Sequence, residues 1–480
     1  MEIAVLVALP LAGALGIALI GERGVSSRFL ALATALAEAA VAAVAVWRML
    51  RLPVQSLSWA PSGVLGAVPL SLGMDGLSAP LVALTAFLSI VAVAASWTVG
   101  DRPRAHHALL LSLESAVMAV FLAADLVFFY VAWEAVLIPM YFLIGLWGHE
   151  DRRRAALKFF LFTFVGSAFM LVGILVAVAN TGTTVINDVP RVLTPDMQRT
   201  VFWLLALGML VKLPAFPLHT WLPDAHVEAP TAGSIMLAGV LLKMGGYGIM
   251  RVAAPIAPAA FDDAAPLLFV LGGFGTIYGA LAALAQDDLK RLVAYSSVAH
   301  MGFALVAIAT GSQAGFAAAM LVMVSHGLVA ALAFLLVGTL AERTHTRSIS
   351  EMGGLATVLP RWSVAFVFTA LASLGLPLLS GFPGEALSVL ESARAFGWWS
   401  VVPAAGVLVA ATYNLRAVRG VVYGATERWS GLADLTPRES LAAASLGFGV
   451  LVLGVWPGAI TAVTNPAVMR IAQLVQGGAR

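Results

Sequence analysis

Six ionisable side chains fall inside apolar stretches that are long enough to cross a lipid bilayer. They are Glu134 in FFYVAWEAVLIPM, Lys212 in LGMLVKLPAF, Lys243 in MLAGVLLKMGGYG, His300 in YSSVAHMGF, His326 in MVSHGLVAAL and Glu385 in SGFPGEALSVL. Moving a charged side chain into the middle of a bilayer is unfavourable, so such residues are rare and usually line a polar path. Carboxyl, amine and imidazole groups all gain and lose protons. These residue types therefore predict proton movement through the membrane.

Glu134 and Lys212 form the first candidate pair. Burial disfavours the charged form of each group, whereas an opposite charge nearby favours it. At a separation of about 4 Å and an effective dielectric constant of about 20, their attraction is near 4 kcal/mol. That energy is sufficient to switch a buried lysine between its charged and neutral forms. A change in the distance between the two groups would move a proton, and a static ion pair is the alternative interpretation.

Lys243, His300 and His326 can extend this pair into a relay. Imidazole titrates near physiological pH and can both donate and accept a proton. A single buried histidine is more often a satisfied interior residue, but two on adjacent predicted spans favour a relay. Glu38 and Glu114 also lie in apolar stretches, and we give them less weight because hydroxyl side chains lie close to each in sequence.

The segment HTWLPDAHVEAP offers a second kind of chemistry, since it contains His219, Asp224, His226 and Glu228. Zinc ligands normally have a spacing that suits one helix face or one turn. Pro223 interrupts that spacing, and Asp224 is predicted to cap the next helix or anchor a loop. The sequence therefore predicts no metal site in this chain.

Composition defines the class of protein that must position these groups. The 480 residues are 61% hydrophobic and 11% charged, with a net charge of +2 and a mean hydropathy of +0.95. Soluble domains carry about 25% charged residues, so the chain is predicted to be a polytopic membrane protein. The sequence has no basic tract of the kind that binds nucleic acid. The chain has no cysteine, which excludes disulfides, cysteine-ligated iron–sulfur clusters and thiol catalysis within it.

The apolar segments predict an all-α protein with about fourteen transmembrane helices, at about 20 apolar residues per span. The predicted spans are 3–20, 29–49, 77–98, 108–123, 125–147, 157–179, 201–222, 230–251, 266–285, 291–310, 315–341, 362–393, 398–423 and 440–462. The amino terminus lacks the basic region and cleavage site of a signal peptide, so we expect it to be a retained first span.

The seventh and twelfth spans are both interrupted. Pro214 and Pro217 lie beside Lys212, and Pro377 and Pro383 precede the carboxylate of the twelfth span. Because proline removes a backbone donor, both helices should break. Broken helices at corresponding positions favour an inverted repeat with ion sites at the breaks, and ordinary packing kinks are the alternative. The prediction is an N-terminal three-helix segment (1–107), repeats at 108–251 and 266–423, and a C-terminal helix and tail (424–480).

Orientation follows from Lys and Arg in the connections. One set of alternating connections holds seventeen of these residues and the opposite set, with both termini, holds eight. Both termini are therefore predicted to lie on the outer, periplasmic side of a bacterial inner membrane. HEDRRRAALK and ERTHTRSISEMGG should face the cytoplasm.

A family resemblance adds to this reading. The run KLPAFPLHTWLPDAHVEAPTAGSIMLAGVLLKMGGYGIMR, with FYVAWEAVLIPMYFLIGLWG, RLVAYSSVAHMGF and LASLGLPLLSGFPGE, closely resembles the antiporter-like membrane subunits of respiratory complex I. Within that family the chain is most similar to the subunit M, or chain 4, type of bacterial NADH:quinone oxidoreductase. The resemblance covers most of the chain, from about residue 75 to about residue 425.

The resemblance implies a role for each of the six residues. They match the glutamate of the fifth span (Glu134), the pumping lysine of the broken seventh span (Lys212), the connecting lysine of the eighth (Lys243), the histidines of the central polar axis (His300 and His326) and the terminal acid of the broken twelfth span (Glu385). Pro383 departs from the family, which usually has an aliphatic residue there. This departure leaves the local shape of the second break open.

The resemblance also implies a function and an assembly. It implies a proton-translocating subunit that couples remote electron transfer to outward proton movement, as part of an NADH:quinone oxidoreductase. FMN, iron–sulfur clusters and quinone would belong to partner subunits, and no cofactor to this chain. Partners would include other membrane-arm subunits, among them L and N type neighbours, and the lipid bilayer. The alternatives are a multisubunit cation/proton antiporter module, a membrane subunit of a hydrogenase- or ferredoxin-linked complex, and a passive scaffold.

Overall fold

The computed structural model describes residues 2–19, 24–52, 56–59, 71–188, 193–424 and 427–478. These residues are almost entirely helical, because a bilayer offers no water to backbone N–H and C=O groups, which must then pair within helices. Two short strands, β1 (Leu57–Trp59) and β2 (Leu72–Met74), pair antiparallel before the third helix. The predicted all-α membrane fold is confirmed.

Seven helices make up the first part of the chain. They are α1 (Glu2–Leu19), α2 (Gly24–Arg51), α3 (Ala79–Ala95), α4 (Pro103–Leu122), α5 (Leu126–Ala135), α6 (Leu137–Trp147) and α7 (Arg152–Thr181). Together α5 and α6 fill the predicted fifth span. Their division at Val136 has a local cause, since Pro139 has no N–H to donate to the carbonyl of Ala135.

The remaining helices follow the same order as the predicted spans. They are α8 (Pro195–Lys212), α9 (Trp221–Glu228), α10 (Thr231–Met236), α11 (Leu242–Gly248), α12 (Ala254–Ile256), α13 (Pro258–Leu284), α14 (Leu289–Ala309), α15 (Gln313–Thr344), α16 (Leu355–Val358), α17 (Pro360–Ser373), α18 (Gly381–Phe396), α19 (Val401–Val422), α20 (Pro437–Val455) and α21 (Gly458–Gly478). Within the described residues, 11 segments are long and apolar enough to cross a membrane.

Both predicted breaks are present. The seventh span divides into α8 and α9, with Pro214 and Pro217 in the turn between them. The twelfth divides into α17 and α18, and the turn between them contains Gly375 with a φ of 76°. That left-handed conformation favours glycine. The residue bounds of the two predicted repeats stay a prediction.

The helices at the centre of the bundle differ from those at its edge. α14 and α15 are buried along nearly their whole lengths, as are α10, α11 and the π-helical turns Leu237–Leu241 and Ile249–Ala253 that flank α11. In contrast, α2 and α7 expose many large apolar side chains, which suits contact with lipid or other membrane helices. The central helices are the ones that carry Lys243, His300 and His326.

Basic connections collect at one end of the bundle. Lys290 donates to the carbonyls of Val227 and Ala229 at 3.2 and 2.5 Å, and Arg347 donates to the same carbonyl of Val227 at 2.9 Å. At the other end, Arg251 forms a bidentate ion pair with Asp75. Three of the Lys and Arg residues counted for the predicted orientation lie outside the described residues: Arg23, Arg191 and Arg480.

The carboxyl-terminal region differs from the predicted single helix and tail. The structure ends α20 at Val455, and Pro457 follows the break. Because proline disfavours the helical conformation of the residue before it, a helix boundary at Trp456 is expected. The chain then continues in α21, which packs against α13 and α15 with Val468 and Ile471 buried.

Candidate functional site

The break after α8 places Lys212 in an apolar pocket. Lys212 is the last residue of α8 and is 1% exposed. Its Nζ lies 5.7 Å from the ring centre of Trp133 and 5.6 Å from that of Phe159, so the faces of aromatic rings stabilise its charge. Among the described residues Nζ has no hydrogen-bond partner. Trp221 donates its indole N–H to the carbonyl of Val211 at 3.0 Å, which satisfies a backbone group next to the break.

Glu134 lies near the end of α5, beside the interruption caused by Pro139. Its Oε1 is buried and accepts no hydrogen bond from the described part of the chain. Ser167 and Tyr130 are polar neighbours of this carboxyl, and Lys212 acts on it electrostatically. The two charged groups do not form a direct ion pair. The structure thus holds the predicted pair apart, with each member lacking a full set of partners.

Lys243 occupies the centre of the bundle and is completely buried. It is the second residue of α11, which begins directly after the π-helical turn Leu237–Leu241, and its Nζ contacts the carbonyl of Ala238 within that turn. π-Helical turns inside helices are frequent at functional sites because they offset the backbone carbonyls. The same Nζ lies 2.7 Å from Nδ1 of His326 on α15.

Hydrogen bonds and one ring contact link the second half of the site into a connected network. The ring centres of His326 and His300 are 5.6 Å apart. His300 Nδ1 lies 2.9 Å from Oε1 of Glu385, and its Nε2 lies 3.3 Å from Oγ of Ser373 at the end of α17. Asn414 on α19 donates to the same Oγ at 3.3 Å. Five helices therefore contribute to one polar cluster beside the second break.

A cavity of about 40 Å³ joins these groups. Its polar lining consists of Ser296, His300, Ser325, His326, Thr369, Ser373, Glu385, Tyr413 and Asn414. One water needs roughly 10–15 Å³ of such volume and two to four polar partners. The cavity is therefore large and polar enough to hold water between the two histidines, which are too far apart to hydrogen-bond directly.

Comparison with known proteins identifies the family of this chain. Residues 123–412 match the family described as NADH:quinone oxidoreductase/Mrp antiporter, TM. The chain belongs to this family. It is 41% identical over 418 residues to NADH-quinone oxidoreductase subunit M of Rhodobacter capsulatus. The aligned residues cover 84% of this chain and 82% of the relative. The predicted resemblance to antiporter-like subunits of the M type is confirmed.

Solved structures have the same fold. A chain of respiratory complex I from Thermus thermophilus with bound NADH superimposes with a TM-score of 0.91, at 32% identity, covering 99% of this chain and 100% of that chain. A chain of the Mrp complex from Dietzia sp. superimposes with a TM-score of 0.88 at 19% identity, covering 100% of this chain and 99% of that chain. The second likeness shows the fold alone.

His226 is a further buried histidine, which the sequence analysis considered only as a metal ligand. It is 0% exposed on α9, stacks on Phe334 with ring centres 4.5 Å apart, and neither ring nitrogen has a described hydrogen-bond partner. Lys290 and Lys243 both act on it electrostatically. It therefore lies between the basic end of the bundle and the buried lysine. The sequence feature that could have identified His226 is the segment HTWLPDAHVEAP, which contains α9. This segment forms a buried half-helix and not a loop.

The neighbours of His226 in that segment have different partners. Asp224 pairs with Lys158 at 2.6 Å and lies 3.8 Å from Arg291, so it joins helices at the basic end and is itself inside α9. Glu228 accepts the backbone N–H of Asp151 at 3.1 Å. Within the described ranges no three metal-binding side chains converge.

Two buried carboxyls, one on α2 and one on α4, also lie beside each other. Glu38 on α2 and Glu114 on α4 are both fully enclosed and interact through their side chains. They lie outside the connected network, and no described hydrogen bond joins them to it.

Proposed function

We propose that this chain is a proton-translocating membrane-arm subunit of an NADH:quinone oxidoreductase. Electron transfer in partner subunits, which would hold FMN, iron–sulfur clusters and quinone, drives protons outward through this chain. The observation that carries the proposal is the run of contacts from Lys243 through His326 and His300 to Glu385. Buried ionisable groups in a bilayer are unfavourable unless they pair or line a path, and here they form a line.

The first half of the site supplies the switch. Lys212 has no hydrogen-bond partner among the described residues, and Glu134 acts on it only at a distance. A movement that brings Glu134 closer would stabilise the charged lysine, and a movement away would favour loss of its proton. Moving one charge against 100 mV requires about 2.3 kcal/mol. An attraction near 4 kcal/mol at close approach is large enough to drive that step.

The second half supplies the path. Lys243 Nζ lies 2.7 Å from Nδ1 of His326, to which a protonated lysine would donate, and Nε2 of His326 is buried without a described partner beside the cavity. Water in the cavity can carry a proton from that Nε2 to Nε2 of His300, next to Ser373. His300 then passes a proton from Nδ1 to Glu385. An imidazole suits this step because one nitrogen can accept while the other donates.

The relatives support a proposal for the rest of the assembly. We infer that this chain lies in a bacterial inner membrane between other membrane-arm subunits, including neighbours of the L and N types. Both termini then face the outer side, because the end of the bundle with Lys290 and Arg347 is the more basic and faces the cytoplasm.

Replacement of Lys212 tests the proposed function. In the assembled complex, Lys212→Ala should lower proton translocation per NADH oxidised at least tenfold, since charge-switching groups contribute about 10²–10⁴-fold to proton transfer. NADH oxidation in the presence of an uncoupler provides the measure of intact assembly. Lys158→Ala is the matched control, because Lys158 is a lysine of the same membrane arm that pairs with Asp224 at the basic end.

Two outcomes would contradict the proposal. Normal proton translocation by Lys212→Ala would remove the lysine from the mechanism. Exchange of sodium for protons by this chain, without NADH, would instead support a cation/proton antiporter module of the kind whose fold it shares.

A further inference from the structure

The buried face of α18 is unusually polar for a helix in a membrane. Its buried residues are Gly381, Gly384, Glu385, Ser388, Glu391 and Ser392. The opposite face carries Phe382 and Leu390, which are exposed. A lipid-facing apolar side and a polar interior side are typical of a helix that lines a path for ions.

The polar residues of α18 follow one another toward the end of the helix. Positions three and four residues apart lie on the same face, so Glu385, Ser388 and Ser392 form a continuous stripe. At 1.5 Å per residue the rise from Glu385 to Ser392 is about 10 Å. Glu391 borders the stripe at its far end.

The far end of the stripe reaches the membrane surface. Just after α18, Trp398 and Trp399 are 70% and 53% exposed, and exposed tryptophans are typical of the boundary between lipid and water. The side chain of Arg394 is 67% exposed and pairs with Glu391 at 2.5 Å. The stripe therefore runs from the acid at the second break toward the end of α18, where Arg394 is exposed.

The serines of the stripe have lone pairs left to accept hydrogen bonds from water, which can carry the proton. Ser388 donates to the carbonyl of Gly384 at 2.7 Å, and Ser392 donates to that of Val389 at 2.8 Å. Each hydroxyl thus directs its own hydrogen to the helix backbone and leaves its oxygen as an acceptor. At the end of the stripe, Ser312 donates to Oε2 of Glu391 at 2.8 Å.

We propose that Ser388, Ser392 and Glu391 form the outlet through which protons leave Glu385 for the outer surface. Glu391 receives the proton at the end of the stripe, and Arg394 orients the Glu391 carboxylate toward solvent. The outlet deepens the proposed function, on which its direction rests. It also gives Glu391 and Arg394 roles that the family resemblance does not supply.

Water access tests the outlet independently of pumping. The chain contains no cysteine, so single-cysteine variants of the assembled complex can be labelled with a charged, membrane-impermeant methanethiosulfonate from the outer side. The mass of this chain reports the reaction. Ser388→Cys and Ser392→Cys should react at least about tenfold faster than Ala386→Cys, because the reactive thiolate forms in water and not in lipid. Ala386 lies on the same helix at a similar depth and faces outward.

Pumping measurements provide the second test. Glu391→Gln should lower proton release on the outer side several-fold while uncoupled NADH oxidation stays normal. Asp263→Asn is the matched control, since Asp263 is an acid of the same end of the bundle that pairs with Arg199 at 2.9 Å. Asp263→Asn should leave proton release unchanged.

The outcomes separate the outlet from the proposed function. Equal labelling of Ser388→Cys and Ala386→Cys, or normal proton release by Glu391→Gln, overturns the outlet. If Lys212→Ala still loses pumping in that case, the proposed function stands and the protons leave by another path. If Lys212→Ala pumps normally, the proposed function fails, while fast labelling still establishes a wet channel along α18.

Discussion

The two broken helices place their ionisable groups in opposite kinds of environment. At the first break, Lys212 lies between Trp133 and Phe159 without a described hydrogen-bond partner. At the second break, Glu385 contacts His300 at 2.9 Å, and Ser373 continues the network. At the first break the ionisable group has no described hydrogen-bond partner, and at the second break it belongs to a hydrogen-bond network.

This difference shows how one architecture can both store and pass a proton. An isolated amine in an apolar pocket responds strongly to a nearby charge, because little else stabilises it. A group that is fixed by several hydrogen bonds responds less, but it offers defined donor and acceptor atoms for transfer. Lys243 lies between the two environments and contacts the second through His326.

The largest effect is expected at Lys243, which joins the two regions. Lys243→Met should lower proton translocation at least tenfold, because it removes a proton carrier from the line of contacts. Lys243→Arg should be nearly as damaging, since arginine keeps the charge but does not release its proton in proteins. Protons translocated per NADH oxidised is the quantity to measure. Full pumping by Lys243→Arg would mean that Lys243 acts only as a fixed charge.

A smaller effect is expected at Ser373, which helps to orient His300. Ser373→Ala removes a hydrogen bond worth about 1 kcal/mol, so proton translocation should fall by roughly fivefold. Ser363→Ala is the matched control on α17, because the Oγ of Ser363 is buried without a described partner. Equal rates for both variants would show that the connected network of the second break does not position His300. The pH dependence should also shift in Ser373→Ala alone.

The smallest effect is expected at His149, outside the membrane-spanning helices. Partial burial, together with the charges of Lys290 and Arg347, lowers the pKa of His149 to about 4. An exposed histidine has a pKa near 6.5, so any stability linked to this group is complete above that pH and is lost as the pH falls toward 4. His149→Gln should leave the pH profile of pumping unchanged between about pH 6 and 8.

A changed profile in His149→Gln would contradict that expectation. It would mean that the basic end of the bundle, and not the buried histidines, sets the pH response. His345→Gln is a suitable comparison, because His149 and His345 both line a cavity of about 480 Å³ at that end.

The sequence by itself determined the membrane class, the order of the spans and both breaks. Apolar length, low charge and the prolines beside Lys212 and before Glu385 are local properties, and the physics of a bilayer makes them decisive. The six ionisable residues could be found for the same reason, because a charged group in an apolar run is conspicuous. The division of α5 from α6 was also encoded locally, in Pro139, although the prediction did not use it.

Only the tertiary structure decided which of these residues touch. It joined Lys243, His326, His300 and Glu385, left Lys212 without a described hydrogen-bond partner, and placed His226 in the core. These contacts connect helices that are far apart in sequence, and their geometry depends on how the helices pack. The polar face of α18 could likewise be identified as buried only from the tertiary structure. Spacing along one helix shows that its residues share a side, and only packing against α14 and α15 shows that this side is buried.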